Sequence, residues 1–176
     1  MGERCTIGTA REDATVMYLH WNSTPEEVTA LTDYCAIQKY RSPDRDPMYG
    51  MARMCQVACN TWGNHAHDDY ENGLSVGISP FWKCDQDYGH YVLDGWFIAR
   101  REEGTYTYSD VDIENLDEGR VWEYVTYINA HQPDHVRLDD SELRQRFLTR
   151  FSERTAYRRD AKQTEDRTQT SYTEKE

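Results

Sequence analysis

The first apolar runs of the chain have the residue types of β-strands. Residues 4–9 and 15–20 are rich in Thr, Val, Ile and Tyr, and the polar residues 11–14 lie between them. Two such runs joined by a short polar segment predict a β-hairpin.

Two segments with helical periodicity follow the hairpin. Thr24 and Glu27 have the spacing of a capping box and Pro25 suits a first turn, which predicts a helix from about residue 24 to Tyr40. Over 48–62, apolar residues recur at spacings of three and four, which predicts a helix with one apolar face. The residues of that face are Met51, Met54, Cys55, Ala58 and Trp62.

The remainder of the chain predicts three strands and two helices. We expect strands over 73–79 and 91–102, with 105–113 pairing with the latter as an edge strand. The apolar patterns of 118–131 and 138–160 predict helices.

These elements predict one α+β domain over residues 1–160, with the order β-β-α-α-β-β-β-α-α. We expect an antiparallel sheet of about five strands with helices packed on one face. Residues 161–176 contain almost no apolar side chains, so we expect a mobile polar C-terminal tail.

The negative charge of the chain is concentrated in one segment. The net charge is −12, and residues 102–142 hold twelve acidic and two basic side chains. An acidic surface repels the phosphates of nucleic acids and attracts basic protein surfaces. The pattern leaves two interpretations open: a solvated face that aids solubility, and a surface for a protein partner with no direct binding of nucleic acid.

The carboxylates at the centre of this segment are the candidate partner-binding residues. They are Asp110, Asp112, Glu114, Asp117 and Glu118. Occupying a basic groove that normally takes nucleic acid is the mechanism we expect for them. A charged edge that blocks strand pairing between molecules is one alternative, and paired carboxylates for acid–base chemistry are another.

Basic residues cluster in the last predicted helix, and a nucleic-acid-binding stripe is one interpretation of them. They are mixed with acidic residues, which weakens that interpretation. The cluster consists of Arg144, Arg146, Arg150, Arg154, Arg158 and Arg159.

His20 and Asn22 stand between a predicted strand and a predicted helix, where two roles compete. In the structural role, both side chains hydrogen-bond backbone groups at the joint and Trp21 packs the helix onto the sheet. In the catalytic role, His20 supplies the base, since histidine side chains in general can gain or lose a proton in catalysis, and with Asn22 it forms the centre of a small metal-dependent hydrolase or nuclease. Metal ligands for that alternative would come from His65, His67, Asp68 and Asp69, whose side chains can hold zinc or manganese.

The sequence also bears on compartment and cofactors. Its five cysteines are an odd number and no basic-then-apolar leader is visible, so we expect reduced thiols in a cytoplasm. No apolar run approaches the roughly 20 residues of a membrane helix. We expect no cofactor and no membrane partner.

Four short segments together resemble a family of small, largely uncharacterised proteins of phages, prophages and other mobile elements. Members carry a Met-Gly-x-Arg start, a Tyr-Leu-His-Trp-Asn signature before a helix, a Gly-x-Ala-Arg-x-Cys-Gln helix and a Gly-Leu-Ser-Val-Gly strand. The matching segments are residues 1–4, 18–22, 50–56 and 73–77. The family usually has Gly-Gly after the Asn, where this chain has Ser23 and Thr24.

The resemblance implies a phage or mobile-element setting and no established chemistry. Small acidic proteins of that setting often block host defence systems by binding them. The expected function is therefore a binding protein that inhibits or modulates a host protein, with a nucleic-acid-binding defence complex, such as one of CRISPR or restriction type, as the candidate partner.

Overall fold

A computed structural model describes residues 3–11, 14–63, 75–79 and 86–173, with side chains to residue 164. Its elements follow the predicted order. The strands are β1 (Cys5–Thr9), β2 (Val16–Leu19), β3 (Val76–Ser79), β4 (His90–Asp94) and β5 (Phe97–Glu102). The helices are α1 (Pro25–Ile37), α2 (Pro47–Trp62), α3 (Glu118–Ala130) and α4 (Asp140–Thr173). The α+β class and the order β-β-α-α-β-β-β-α-α are confirmed.

The sheet has five strands in the order β3-β2-β1-β4-β5. Three of its neighbouring pairs are antiparallel, whereas β1 and β4 run parallel, with Ile7 opposite Tyr91. The sheet is therefore mixed, whereas the sequence indicated an antiparallel one. β1 has β2 on one side and β4 on the other, which places the first strand of the chain at the centre of the sheet.

The predicted strand over 91–102 is two strands. Gly95 has φ +62°, and it forms a tight turn with Trp96 that joins β4 to β5. Trp96 is only 7% exposed and its indole Nε1 donates to the carbonyl of Tyr40 at 2.8 Å. That contact with a distant segment anchors the turn, so β4 and β5 form a hairpin.

The predicted edge strand over 105–113 is a loop. Thr107 uses its hydroxyl to accept from Gly104 N at 2.9 Å and to donate to the Gln86 carbonyl at 2.8 Å. Further on, Asp112 accepts hydrogen bonds from the two backbone amides that follow it closely in the chain. Side chains that bond nearby backbone in this way favour turns over a strand ladder.

The start of α1 has the predicted capping box. Thr24 Oγ1 accepts from Glu27 N at 3.4 Å, and Glu27 Oε2 accepts from Thr24 N at 3.0 Å. Pro25 occupies the first helical position, where a missing N–H costs nothing. The local sequence therefore determines where this helix begins.

One face of the sheet packs against the helices and forms the core. The sheet side of that core includes Ile7, Leu19 and Tyr91, and the helix side includes Leu31 of α1 and Val125 of α3, all fully buried. About 25 cal/mol is gained for each Å² of apolar surface removed from water. This shared core holds the five elements together: β1, β2, β4, α1 and α3.

α4 continues to Thr173, well beyond the predicted helix end at residue 160. Mobility of residues 161–176 stays a prediction. Within the described ranges, no helix combines the length and the apolar character needed to cross a membrane.

Candidate functional site: the acidic segment and the cationic face of helix α4

Five cations of α4 lie on one face of the helix and contact the rest of the domain. They recur at every fourth residue, and side chains spaced by four lie one above the other on a helix. We call this set the α4 ladder. It consists of Arg146, Arg150, Arg154, Arg158 and Lys162.

Arg150 joins α4 to the buried carboxylate of α1. Its Nε donates to Asp33 Oδ1 at 2.8 Å and its Nη2 donates to the Trp96 carbonyl at 2.6 Å. The guanidinium carbon lies 3.9 Å from the centre of the Phe97 ring. Since Asp33 is fully buried, its charge depends on these partners.

Arg154 joins α4 to both α3 and α1. Its two terminal nitrogens donate to the two carboxylate oxygens of Glu118, each at 2.7 Å, and Nη2 lies 3.2 Å from Asp33 Oδ2. Burial acts to lower the pKa of the Arg154 guanidinium, but the bonds to Glu118 and the charge of Asp33 outweigh it and the pKa is raised. The planar fork of arginine suits such two-bond pairing.

Arg158 and Lys162, the last two residues of the α4 ladder, bond to the loop before α3. Arg158 donates from Nη2 to the Ile113 carbonyl at 2.7 Å and from Nη1 to the Glu114 carbonyl at 2.8 Å. Lys162 Nζ lies 2.6 Å from Glu114 Oε2. Burial and the neighbouring charge of Arg154 lower the pKa of Arg158. The five cations of the α4 ladder thus make intramolecular contacts, so they are not free to bind the phosphates of a nucleic acid. Arg144 and Arg159 of the predicted basic cluster are outside this series.

The predicted partner-binding carboxylates are mostly engaged within the chain. Glu114 and Glu118 pair with Lys162 and Arg154, as described above. Asp117 caps α3 and accepts from the backbone nitrogens of Gly119 at 2.9 Å and Arg120 at 3.2 Å.

Asp112 closes the turn before α3. It accepts from Glu114 N at 2.7 Å and from Asn115 Nδ2 at 2.7 Å, and the bond from Asn115 lowers the pKa of its carboxyl. Asp110 differs from the other four, because its exposed carboxylate has no ion pair or hydrogen bond within the described part of the chain. Of the five candidates, Asp110 is the one left available to a partner.

An exposed aromatic residue shares the loop with Asp110. The Tyr106 side chain is 78% exposed. Arg101, whose own side chain is 5% exposed, donates from Nη1 to the Tyr108 carbonyl at 3.0 Å, and Tyr108 N donates to the Asp87 carbonyl at 2.8 Å. Sequence reasoning missed Tyr106 because it placed this residue on an edge strand.

The His20 joint is held by side-chain pairs. Asn22 has φ +63° and its Nδ2 donates to Glu27 Oε1 at 3.0 Å. His20 Nδ1 lies 3.0 Å from the Tyr18 hydroxyl, and the Trp21 side chain is 40% exposed. Within the described residues, the hydrogen bonds of the His20 and Asn22 side chains go to other side chains, whereas bonds to backbone groups were expected.

The proposed metal ligands His65, His67, Asp68 and Asp69 lie outside the described residues. Among the residues that are described, no group of three or more His, Cys, Asp or Glu side chains is close enough together to hold a metal ion. Of the cysteines, Cys5 and Cys35 are buried free thiols, and burial raises the pKa of Cys5 to about 12.

A half-open apolar cleft of about 240 Å³ lies between α2 and the strands β1 and β3. Its walls include Met48, Met51, Cys55 and Ile78. Met48 and Ile78 are 78% and 67% exposed. The cleft lies apart from the acidic loop and contains none of the predicted site residues.

Comparisons with known proteins were made against family models, curated proteins and solved structures, and none of the three gave a match.

Proposed function

We propose that this chain is a binding protein that recognises a basic surface on a partner protein through the loop between β5 and α3. This loop spans residues 103–117. The observation that carries the proposal is that Tyr106 and Asp110 lie on the same loop. Tyr106 is highly exposed, Asp110 has no ion pair or hydrogen bond among the described residues, and hydrogen bonds hold the backbone of the loop. Tyrosines on surfaces that are ordered before binding are typical anchors of protein interfaces.

The fixed backbone matters because ordering a loop on binding costs free energy. Arg101 holds the Tyr108 carbonyl from one side, and Arg158 holds the Ile113 and Glu114 carbonyls from the other. The ring of Tyr108 also meets that of Tyr88 edge to face, with centroids 5.5 Å apart. These contacts support a surface that is ordered before the partner arrives.

The charge of the loop supports a basic partner. Since Glu114 and Glu118 are bonded to cations of α4, the attraction comes from Asp110 together with the wider acidic excess of the chain. The proposed setting is the one implied by the family resemblance: a phage or mobile-element protein that inhibits or modulates a host protein in a bacterial cytoplasm. A nucleic-acid-binding defence complex has the basic surface that this mechanism requires.

Affinity capture from a bacterial lysate with matched variants tests the proposal. The loop variant is Tyr106→Ala with Asp110→Asn. The control is Tyr49→Ala with Asp44→Asn, which removes the same two side-chain types from an exposed site elsewhere, where Tyr49 is 62% exposed.

We expect the wild-type chain and the control to recover the same partner and the loop variant to recover at least tenfold less. Binding should also weaken as salt rises, because screening reduces attraction between exposed charges. Equal recovery by the loop variant would contradict the proposal.

A further inference from the structure

A small cavity lies where α1, β5 and α4 meet, next to the α4 ladder. Its volume is about 10 Å³, and its walls include Thr29, Thr32, Arg154 and Tyr157. Thr29 precedes Asp33 by four residues on α1, which places both on the face of the helix that α4 packs against. The cavity therefore borders the buried contact between Asp33 and Arg154.

Two polar atoms of this cavity wall have no hydrogen-bond partner among the described residues. They are Thr29 Oγ1 and Arg154 Nε. Thr29 is 1% exposed and Arg154 is 5% exposed, so bulk water does not reach these atoms freely. Leaving a buried polar group without a partner is unfavourable, because the group loses its bonds to water and gains none in the fold.

Asp33 Oδ2 is a third buried atom without a hydrogen bond in the described part of the chain, and it lies close to Arg154. Asp33 Oδ2 is 3.2 Å from Arg154 Nη2 and forms an ion pair there, but it accepts no hydrogen bond within the described residues. Asp33 is fully buried. Thr29 and Arg154 thus line a space with the size of one water molecule, and the carboxylate of Asp33 contacts Arg154 beside it.

We propose that the cavity is the site of one internal water molecule that joins α1 to α4. In this arrangement Arg154 Nε–H donates to the water oxygen. The water donates its own hydrogens to Thr29 Oγ1 and Asp33 Oδ2. Internal waters typically make about three such bonds, and this one would satisfy all three atoms at once.

The chemistry of the site favours water over an anion. A cavity of about 10 Å³ admits roughly one water-sized sphere, and the carboxylate of Asp33 repels negative ions. Water can both accept from the guanidinium and donate to the carboxylate, which a halide cannot do.

The test combines a crystal structure of the full chain with NMR of the Arg154 side chain in solution. We expect electron density for one water within hydrogen-bond distance of Arg154 Nε and Thr29 Oγ1. We also expect a cross-peak between the Arg154 Hε proton and water whose sign indicates a residence time longer than molecular tumbling.

Two substitutions of Thr29 provide a variant without the hydroxyl and a matched control that keeps it. Thr29→Val removes the hydroxyl at nearly constant volume, and we expect loss of the water density and of the long-lived cross-peak. Thr29→Ser keeps the hydroxyl and should keep both. The proposal is overturned if wild-type crystals show no density at the site, if crystals grown in bromide show anomalous scattering there, or if Arg154 Nε donates directly to a protein oxygen.

Discussion

Glu118 and Arg154 form a two-bond ion pair that joins the first turn of α3 to the middle of α4, with both oxygen–nitrogen distances at 2.7 Å. The pair explains how a strongly acidic segment and a cationic helix coexist in one small domain. Because cations of α4 pair with Glu114 and Glu118 within the chain, fewer acidic side chains are available to a partner than the charge of the sequence indicates.

Replacing the buried carboxylate of α1 should strongly destabilise the fold. Asp33→Asn leaves Arg150 and Arg154 facing each other with less negative charge between them, and breaking a buried ion pair on one side costs about 3–5 kcal/mol. Urea unfolding followed by circular dichroism measures the change. Asp44→Asn, at an exposed position, is the control and should change the free energy of unfolding by less than about 0.5 kcal/mol.

Acid should weaken the fold through His90. This residue is fully buried, its Nδ1 lies 2.9 Å from Thr6 Oγ1, and burial lowers the pKa of its imidazole to about 4. In the unfolded chain the pKa is about 6.5, so the unfolded state takes up the proton first as the pH falls. The contribution of His90 is therefore complete above pH 6.5 and is lost between about 6.5 and 4.

The expected size of this effect is about 1.4 kcal/mol per pH unit within that range. Unfolding by urea at several pH values, together with NMR titration of the imidazole, measures it. His90→Gln does not titrate and should flatten the profile between pH 6.5 and 5. An imidazole pKa near 6.5 in the folded protein would refute the prediction.

The end of α1 offers a stabilising substitution. Lys39 has φ +59°, and the chain leaves the helix by hydrogen bonds from Lys39 N to Ala36 O and from Tyr40 N to Cys35 O. Glycine is the usual residue at this position because it has no Cβ to clash. We expect Lys39→Gly to raise the free energy of unfolding by about 0.5 kcal/mol or more, since relief of about 1–2 kcal/mol of backbone strain exceeds the added entropy cost.

Lys39→Ala is the matched control for that substitution. It removes the same long side chain and its charge, but it keeps a Cβ in the left-handed conformation. We expect that Lys39→Ala does not raise the temperature of thermal denaturation, whereas Lys39→Gly does. Equal stabilisation by alanine and glycine would show that the side chain, rather than the backbone conformation, was responsible.

Sequence patterns predicted the elements whose causes are local. The capping box of Thr24 and Glu27 and the periodicity of 48–62 act within a few residues, so α1 and α2 begin and end close to where they were expected. The turn between β4 and β5 depends on Trp96 reaching Tyr40, a contact that no short window contains. The sequence pattern therefore predicted one strand over 91–102 where the structure has two.

The site was harder to predict for the same reason. The four-residue spacing of the α4 ladder is visible in the sequence, but the partners of these cations are distant along the chain. Asp33, for example, lies 117 residues from Arg150. Because the sequence does not show those partners, it predicted two separate charged surfaces, one on the acidic segment and one on the basic helix. Tyr106 could be found only after the loop had been distinguished from a strand.

A double-mutant cycle on Glu118 and Arg154 tests the central claim most directly. Free energies of unfolding are measured for the wild type, Glu118→Gln, Arg154→Met and the double variant. If α4 is fixed to the acidic segment through this pair, the effects of the single variants should not add, with a coupling of about 1 kcal/mol or more. Additive effects, with a coupling near zero, would contradict the account.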